Sequence, residues 1–283
     1  MRTLIRAALR EDIGPGDVTT KALIPKSKKA GAIILAKGDG VLAGAALISE
    51  VFRAVDSGIK IKWMKKDGSR VRRGVVLCRI KGSAASILKA ERVALNFLSH
   101  LSGIASITNV FVRRIHGTGA KILDTRKTTP GFRELERYAV QVGGGVNHRM
   151  GLWDEGLVKD NHWKLVGNSR NVERAIQKNR KRKWVVEISK ENLRMLDSII
   201  KARPKVILLD NFSPLELKKI VARIKQFTNV RARRAVPLLE ASGGIRLNNV
   251  RQIAKTGVDR ISVGALTHSA PALDFSLEIK PIR

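Results

Sequence analysis

The sequence is poor in cysteine and in aromatic residues. Cys78 is the single cysteine of the chain, so no intramolecular disulfide can form, and a fold stapled by disulfides is excluded. Phe, Trp and Tyr make up 4% of the 283 residues, which leaves little material for the aromatic platforms on which RNA bases stack. Both scarcities favour an ordinary globular fold in a reducing compartment.

The chain also lacks a long run made of apolar residues alone. No stretch approaches the roughly 18–20 residues that span a bilayer, and MRTLIRAALREDIG has acidic residues where a secretory signal would stay apolar. We therefore expect no membrane segment, no secretory signal and a cytoplasmic location. With 43% hydrophobic residues, the chain can bury a large core in one or two domains.

Acidic residues are few. The chain has 24 Asp and Glu against 55 Lys and Arg, a formal net charge of +31, which suggests nucleic acid or an anionic surface as a partner. The densest basic clusters, Lys178–Lys183 and Arg231–Arg234, fall between periodic segments and lack interleaved aromatic residues. We interpret them as solvated faces, with incidental RNA adhesion as the alternative, and expect nucleic acid not to be the principal partner.

The first hundred residues contain short apolar runs, followed by a long helical pattern. Turns such as Lys66-Asp67-Gly68 separate the runs. Apolar residues then recur at three- and four-residue spacing from about Ala85 to Ile115, which predicts one long helix. The runs are Ala32–Lys37, Val41–Ala46, Ile59–Trp63 and Val75–Ile80.

From about Gly119 the chain alternates between short apolar segments and helical patterns, which predicts a parallel sheet covered by helices. Ser213-Pro214-Leu215-Glu216 is a predicted capping box that opens a helix to about Phe227. Asn248 is predicted to cap a further helix, which Gly257 ends. The strand candidates are Lys121–Asp124, Gly156–Val158, Trp184–Ile188, Val206–Leu209, Val236–Leu239 and Arg260–Val263.

Nearly every one of these predicted strands ends in polar residues or glycine. In an α/β barrel the carboxyl ends of the strands meet on one face, where ligands bind, whereas an open doubly wound sheet uses mainly the ends beside its switch point. Polar residues or glycine at the ends of six consecutive predicted strands therefore favour a barrel. The ends are Asp124–Lys127, Lys159–Asp160, Glu187, Asp210–Asn211, Glu240–Gly244 and Gly264.

Two of the clusters combine cations with hydroxyls or glycines. Arg126 and Lys127 follow the first predicted strand, and an Arg fork beside a Lys point charge suits carboxylate or phosphate; a solvated turn is the alternative. Gly143–Gly145 precede His148 and Arg149. Glycines allow close approach of the backbone to a ligand, so this second cluster is also predicted to bind an anion.

Lys159 emerges from an apolar strand, and Glu187 and Asp210 end two others. Carboxylates among so many cations can accept hydrogen bonds from sugar hydroxyls or approach a metal-bound phosphate, although helix capping or a structural ion pair would explain them too. Glu191 competes with Glu187 but is predicted to lie in the first turn of the next helix. His162 is interpreted as structural, because a lone histidine seldom acts as a catalyst.

Small residues end the last two predicted strands. Backbone N–H groups and helix starts at such positions can bind a phosphate. Together with the cation clusters, they predict a site for two anions at once, a dicarboxylate and a sugar phosphate. The residues are Ser242, Gly243, Gly244 and Gly264.

Long motifs along the chain closely resemble the quinolinate phosphoribosyltransferase family, also called nicotinate-nucleotide pyrophosphorylase (carboxylating). The resemblance rests on EDIGPGDVTT, AERVALNFLSHLSGIAS, DTRKTTPGFRELERYAVQVGGGVNHRMGLWDEGLVKDNH, LEASGGI and ISVGALTHSAPALDFSLEI, in order over essentially the whole chain. It implies an α/β fold with an N-terminal α/β sandwich domain, residues 1–106 joined by the tail 268–283. Residues 107–267 would form an incomplete TIM-like barrel, with fewer strands than a full TIM barrel.

The resemblance also implies roles for individual residues. Quinolinate would bind Arg126, His148, Arg149 and Lys159, and Arg92 would reach into a partner subunit's site, so that the enzyme is at least a homodimer. Lys127 would lie near the donor's pyrophosphate, Glu187 and Asp210 near its ribose, and Ser242, Gly243, Gly244 and Gly264 at its 5-phosphate. The residues expected to be catalytic are Lys127, Lys159, Glu187 and Asp210.

The implied reaction joins quinolinate to phosphoribosyl pyrophosphate carried with Mg²⁺, with loss of pyrophosphate and CO₂, to give nicotinate mononucleotide for NAD biosynthesis. Two alternatives stay open: a related transferase with another acceptor such as nicotinate, and a nucleic-acid-binding protein on this scaffold. The segment ISKENL after Glu187 departs from the family pattern, which often has further acidic residues there. The ribose assignment depends on that segment.

Overall fold

The computed structural model describes residues 1–229 and 236–281, so the basic cluster Arg231–Arg234 lies outside the described residues. The helices are α1 Arg2–Ile13, α2 Val18–Leu23, α3 Ala45–Val55, α4 Ala84–Arg114, α5 Arg133–Val142, α6 Asp160–Val166, α7 Ser169–Lys178, α8 Leu196–Ala202, α9 Pro214–Asn229, α10 Val250–Ala254 and α11 Ala265–His268, with a 3₁₀ turn at Leu193–Met195. The strands are β1 Lys29–Ala36, β2 Gly40–Val41, β3 Lys60–Trp63, β4 Arg70–Val71, β5 Val76–Ser83, β6 Lys121–Leu123, β7 Gly156–Val158, β8 Trp184–Ile188, β9 Val206–Asp210, β10 Leu238–Ser242, β11 Arg260–Ser262 and β12 Phe275–Pro281.

The chain divides into two compact units. The first unit comprises residues 1–109 and 128–144 together with the C-terminal residues from Leu266. The second unit comprises Val110–Lys127 and Gly145–Ala265. The domain boundaries expected from the sequence remain a prediction.

The first unit is built on an antiparallel sheet with the strand order β12-β1-β5-β3. Strand β12 pairs with β1 over its whole length, from Ala36 opposite Phe275 to Ala30 opposite Pro281, so the C-terminal segment completes the N-terminal sheet. Three of the four apolar runs seen in the sequence are strands. The fourth, Val41–Ala46, is divided between the short strand β2 and the start of α3, because Gly44 turns the chain with a φ of 107°.

Helix α4 confirms the long helix predicted at about Ala85 to Ile115. Among the described residues, it is long and apolar enough to cross a membrane by length and composition, and 56% of that window is buried within the fold. Leu98, Leu101 and Ile104 are fully buried. A Cβ on Gly103 would lie 2.2 Å from the backbone oxygen of Pro271. This close packing is typical of the core helix of a folded domain rather than of a membrane span.

The second unit is built on a parallel sheet with the strand order β6-β11-β10-β9-β8-β7. Each of the six strands matches a predicted one, and β10 differs most, since it runs from Leu238 to Ser242 rather than from Val236 to Leu239. Pro237 has no backbone N–H to give to a strand ladder. The strand therefore begins after it, with Leu238 opposite Val206 and Ser242 opposite Asp210.

This sheet is an incomplete α/β barrel. From β7 to β11 each strand pairs with its successor in the sequence, and β6 pairs with β11. The edge strands of the described sheet are therefore β6 and β7. A single parallel bridge joins Leu123 of β6 to Val146. The near-continuously apolar strands are buried on both faces, with Val186, Ile207 and Ile261 at most 1% exposed. The predicted fold class is confirmed.

The predicted capping box of α9 is confirmed in both directions. The backbone N–H of Glu216 donates to Oγ of Ser213, and that of Ser213 donates to Oε2 of Glu216 at 2.7 Å. The N-cap predicted for the following helix is wrong by one residue, because Asn249 rather than Asn248 precedes α10. Gly257 follows α10 with a φ of 91°, as expected for a residue that ends a helix in the left-handed conformation.

Candidate active site

The carboxyl ends of the six parallel strands bring together the site residues predicted in the second unit. Because all six strands run in the same direction, the residues that follow them lie on one edge of the sheet. Beside the end of β6, the segment that contains Val146 hydrogen-bonds to Ile122 and Asp124. The site residues on this edge are Arg126, Lys127, His148, Arg149, Lys159, Glu187, Asp210, Ser242, Gly243, Gly244 and Gly264.

Two guanidinium groups lie close together beside β6. Arg149 is 7% exposed, and its Nη1 donates to the backbone oxygen of Glu155 at 3.0 Å. Burial lowers the pKa of Arg149, and the positive charge of Arg126 lowers it further. The fold thus keeps two like charges near each other and takes one of them largely out of water. A bound anion would relieve both penalties.

His148 connects this pair to the interior of the barrel. Its Nδ1 accepts a hydrogen bond of 2.7 Å from the backbone N–H of Arg149, and its Nε2 lies 3.2 Å from Oε1 of Glu240. Its own backbone N–H donates to the buried carboxylate of Asp124. Both ring nitrogens therefore bind protein groups, and we infer the tautomer with hydrogen on Nε2. In this arrangement the ring orients Arg149.

Glu240 is a fully buried carboxylate that sequence reasoning placed at a strand end without a role. The hydroxyl of Ser262 donates to its Oε1, and Nε of Arg260 lies 3.1 Å from its Oε2. Burial raises the pKa of Glu240, but the hydrogen bond and charge of His148 and the charge of Arg260 outweigh burial and lower it. The signal in the sequence was a glutamate at the third position of an apolar strand, which must find partners inside the sheet.

Glu187 and Asp210 end neighbouring strands of the sheet, and Lys159 ends the strand on the other side of Glu187. Nζ of Lys159 lies 3.4 Å from Oε2 of Glu187, and the backbone N–H of Asp160 donates to Oε1 at 3.3 Å. Burial raises the pKa of Glu187; the charge of Lys159 lowers it, and that of Asp210 raises it. The carboxylates of Glu187 and Asp210 are close enough to repel each other, which suits a shared cationic or hydroxyl-bearing ligand.

The glycines after β10 occupy conformations that other residues seldom adopt. Gly243 has a φ of 84°, and a Cβ at this position would lie 2.2 Å from Oδ1 of Asn211. Gly244 has a φ of 61°, with nothing within 4 Å of the space where a Cβ would be. Its backbone oxygen accepts a hydrogen bond from the side chain of Asn249. Gly264 directly precedes α11, so glycine backbone lies at the ends of both β10 and β11.

The remaining residues considered in the sequence are exposed. Lys127 is exposed at the end of β6, and Arg92 is exposed on α4 in the first unit. His162 has a structural role, because its Nδ1 accepts the backbone N–H of Lys159 at the start of α6. Glu191 is exposed in the turn before the 3₁₀ segment.

Gly143 serves packing rather than a ligand. A Cβ at this position would lie 2.5 Å from the backbone oxygen of Ala105 and 2.7 Å from Cβ of Thr108, both on α4. The missing side chain therefore lets α4 approach the end of α5. The sequence predicts that the backbone approaches a ligand here, but at Gly143 the group in close contact is a helix of the same unit.

The second unit is an incomplete parallel α/β barrel whose carboxyl edge carries cations, carboxylates and glycine backbone. This combination defines an enzyme class that binds small anionic substrates. Residues 104–278 match the model of the quinolinate phosphoribosyl transferase C-terminal domain, and residues 17–102 match that of the N-terminal domain. The chain belongs to the quinolinate phosphoribosyl transferase family.

Similar proteins include a nicotinate-nucleotide pyrophosphorylase [carboxylating] of Mycobacterium leprae, 41% identical, with 98% of this chain and 96% of that protein covered. Among solved structures, a nicotinate-nucleotide pyrophosphorylase of Ehrlichia chaffeensis has a TM-score of 0.90 at 36% identity, covering 99% of this chain and 98% of that one. The NadC structure of Streptococcus pyogenes has a TM-score of 0.88 at 37% identity, covering 100% and 97%. These likenesses extend over both units.

Proposed function

We propose that this protein transfers the phosphoribosyl group of phosphoribosyl pyrophosphate to quinolinate, with loss of CO₂, to form nicotinate mononucleotide in NAD biosynthesis. The observation that carries the proposal is the meeting of two arginines beside β6: the backbone N–H of His148, the residue before buried Arg149, donates to Asp124, two residues before Arg126, and the charge of Arg126 lowers the pKa of Arg149. Two guanidiniums match the two carboxylates of quinolinate, since each offers a planar fork of donors. Lys159 adds a third cation at the end of β7.

Membership of the family and full-length similarity to carboxylating nicotinate-nucleotide pyrophosphorylases support the same reaction. A nicotinate acceptor, the main alternative, carries one carboxylate. It would offer one negative charge to two guanidiniums whose positive charges oppose each other, and would compensate less of that repulsion than a dicarboxylate does. The arrangement therefore favours the dicarboxylate.

The donor would bind on the later strands. Backbone groups of Ser242, Gly243, Gly244 and Gly264 would bind its 5-phosphate, because glycine backbone leaves N–H groups accessible to phosphate oxygens. Glu187 and Asp210 would accept hydrogen bonds from the ribose hydroxyls. Lys127 would contact the pyrophosphate.

Mg²⁺ would enter with the donor rather than reside in the protein. Among the described residues, no group of three or more His, Cys, Asp or Glu side chains could hold a metal ion. The neighbouring carboxylates of Glu187 and Asp210, which repel each other in the free protein, suit the remaining positions of a cation that phosphate oxygens already bind. When bound, the ion would neutralise charge on the departing pyrophosphate.

The protein's own work is positioning and charge compensation. Departure of pyrophosphate leaves positive charge on the ribose ring, which Glu187 and Asp210 stabilise, and negative charge on the leaving oxygen, near Lys127. Arg126 and Arg149 hold the carboxylates of quinolinate, and its pyridine nitrogen forms the new bond to the ribose carbon that pyrophosphate leaves. The resulting pyridinium stabilises the carbanion left by decarboxylation, and Lys127, Lys159 or water supplies the final proton.

We further propose a homodimer, or a larger assembly of dimers, with shared sites in the cytoplasm. The chain resembles its relatives over the long helix that carries Arg92, whose side chain is exposed on α4. A cation on the surface of one subunit can complete an anion site on its neighbour.

An assay with two acceptors tests the proposed function. Purified protein, Mg²⁺ and phosphoribosyl pyrophosphate are mixed with quinolinate or nicotinate, and nicotinate mononucleotide and CO₂ are followed. We expect product from quinolinate with one CO₂ released for each nucleotide. Product from nicotinate alone would overturn the acceptor and retain the donor site, whereas no product from either would overturn the reaction.

A further inference from the structure

The second unit has a basic cleft at the end of its sheet opposite the candidate active site. The cleft lies where β8, β9 and β10 begin, and its volume is about 800 Å³. One wall is the turn between α7 and β8, and the other is the turn between α8 and β9. The sequence pattern of the first turn indicates a solvated face, but the fold places a second basic turn beside it.

Seven cationic side chains line this cleft, and none of its described lining residues is acidic. All seven are exposed. Among the described residues, Lys183 alone of the seven has an acidic partner, with its Nζ 3.5 Å from Oε1 of Glu155. Gathering so many like charges without counter-charges is unfavourable unless an anion binds there. The seven are Arg180, Lys181, Arg182, Lys183, Lys201, Arg203 and Lys205.

We propose that the cleft binds nucleic acid through its phosphate backbone, independently of base sequence. The cations are exposed on two turns and at the end of α8 rather than in buried, fixed positions, which suits a chain of repeated phosphates better than a single small ligand. The net charge of +31 would draw a polyanion toward this surface over a long range.

Base stacking does not contribute to this mode of binding. Trp184 is the aromatic residue of the cleft, but its ring packs on the backbone of β7, since a Cβ on Gly156 would lie 2.5 Å from it. Its Nε1 donates to the backbone oxygen of Asn179. Contacts to phosphate without stacking or base edges give affinity with little sequence preference.

The shape and charge of the cleft argue against other occupants. A lipid bilayer is flat and requires an apolar surface that inserts among the acyl chains, whereas this surface is concave and lined by cations on turns. A second copy of this face would bring like charges together. A nucleic acid strand provides the closely spaced negative charges that fit the two basic walls.

Fluorescence polarisation with a labelled 20-nucleotide poly(U) strand tests the proposal on the full-length protein. The cleft variant replaces two cations on each wall: Arg180→Gln, Lys181→Gln, Lys201→Gln and Lys205→Gln. A matched control removes the same charge from exposed positions of the first unit: Arg2→Gln, Arg6→Gln, Lys60→Gln and Lys62→Gln. Circular dichroism and thermal unfolding establish that both variants fold.

We expect wild-type protein to bind, and the cleft variant to lose affinity by at least about tenfold, with its salt dependence reduced by about two to three in log–log slope. The control should change affinity by about twofold or less. Transferase activity should be unchanged in both variants, because neither set belongs to the candidate site. Equal losses in both variants, no saturable binding near 0.15 M salt, or cleft-dependent binding of phosphatidylserine vesicles but not of poly(U) would each overturn the proposal.

Discussion

Single charged residues at the candidate site are placed where burial opposes their charge. The pKa of Glu187 is raised and that of Arg149 is lowered, in both cases first by burial. Each shift means that the folded protein stabilises the charged form less than water does. Such groups are characteristic of sites whose ligands complete the charge balance.

Glu187→Gln tests this balance. The pKa of Glu187 is higher in the folded protein than in the unfolded chain, so the folded protein binds a proton at this side chain more tightly. At pH values above the raised pKa, the charged carboxylate therefore destabilises the fold. The variant should therefore have a higher free energy of unfolding at neutral pH, and the difference should shrink in acid. Activity should fall by roughly 10–100-fold, from the loss of a charged hydrogen-bond acceptor.

Urea unfolding at several pH values and steady-state kinetics measure both effects. The variant also loses the ion pair with Lys159. This pair contributes about 1 kcal/mol or less to the free energy of unfolding, because Lys159 is exposed. A variant that is less stable at neutral pH, or that retains full activity, would contradict the role given to Glu187.

Glu240→Gln should have the opposite effect on stability. The pKa of Glu240 is lowered despite burial, so its charge stabilises the fold above the ordinary pKa of glutamate, and that contribution is lost as pH falls through the lowered value. The variant breaks a buried network with His148 and Arg260 and should lose about 3–5 kcal/mol at neutral pH. Urea unfolding should show a flatter pH dependence in acid than for the wild type; an unchanged profile would remove Glu240 from the network.

At the scale of helices and strands, local pattern predicted most of what the structure contains. All six strands of the parallel sheet and the bounds of α4 follow from apolar periodicity, and the capping box of α9 follows from four residues. The errors are local too: the predicted strand starts at Val236, whereas β10 starts at Leu238, because Pro237 has no backbone N–H for the ladder. The strands β2 and β4 have two residues each, too few to leave a periodic signal.

Gly243→Ala tests the loop between β10 and α10. The added Cβ would lie 2.2 Å from Oδ1 of Asn211 in a left-handed conformation, so the loop must move, and the KM for phosphoribosyl pyrophosphate should rise by roughly tenfold or more. Gly167→Ala is the control, since Gly167 has a φ of 70° and open space around it. The control should cost about 1 kcal/mol of stability and leave KM unchanged. Equal KM values for both variants would exclude the loop from donor binding.

At the scale of the whole molecule, the polar residues and glycines at the strand ends predicted the barrel. They also predicted which edge of the sheet carries the candidate site. The resemblance implied that the C-terminal tail joins the first domain, but the pairing of β12 with β1 was not predicted, because no local pattern indicates which strands pair across the length of the chain. The network of Glu240, His148, Ser262 and Arg260 was missed for the same reason. Its members come from β10, from β11 and from the segment that follows Val146, and the proximity of these three parts follows only from the folded sheet.

A mixture of two inactive variants tests whether subunits share sites. Arg92→Ala and Arg126→Ala should each be nearly inactive alone. In a two-fold dimer, a heterodimer of the two has one site with both arginines intact, so co-expressed subunits should recover about a quarter of wild-type activity. Activity no higher than that of the separate variants, or full activity of Arg92→Ala alone, would contradict the shared site.

Calorimetric binding of quinolinate and nicotinate to wild-type protein and to Arg126→Ala tests the central claim most directly, namely that paired guanidiniums recognise a dicarboxylate. We expect wild-type protein to bind quinolinate at least about tenfold more tightly than nicotinate, and Arg126→Ala to lose most of that difference while retaining its fold. Equal affinity for the two acceptors in the wild type, or unchanged quinolinate affinity in Arg126→Ala, would contradict the account.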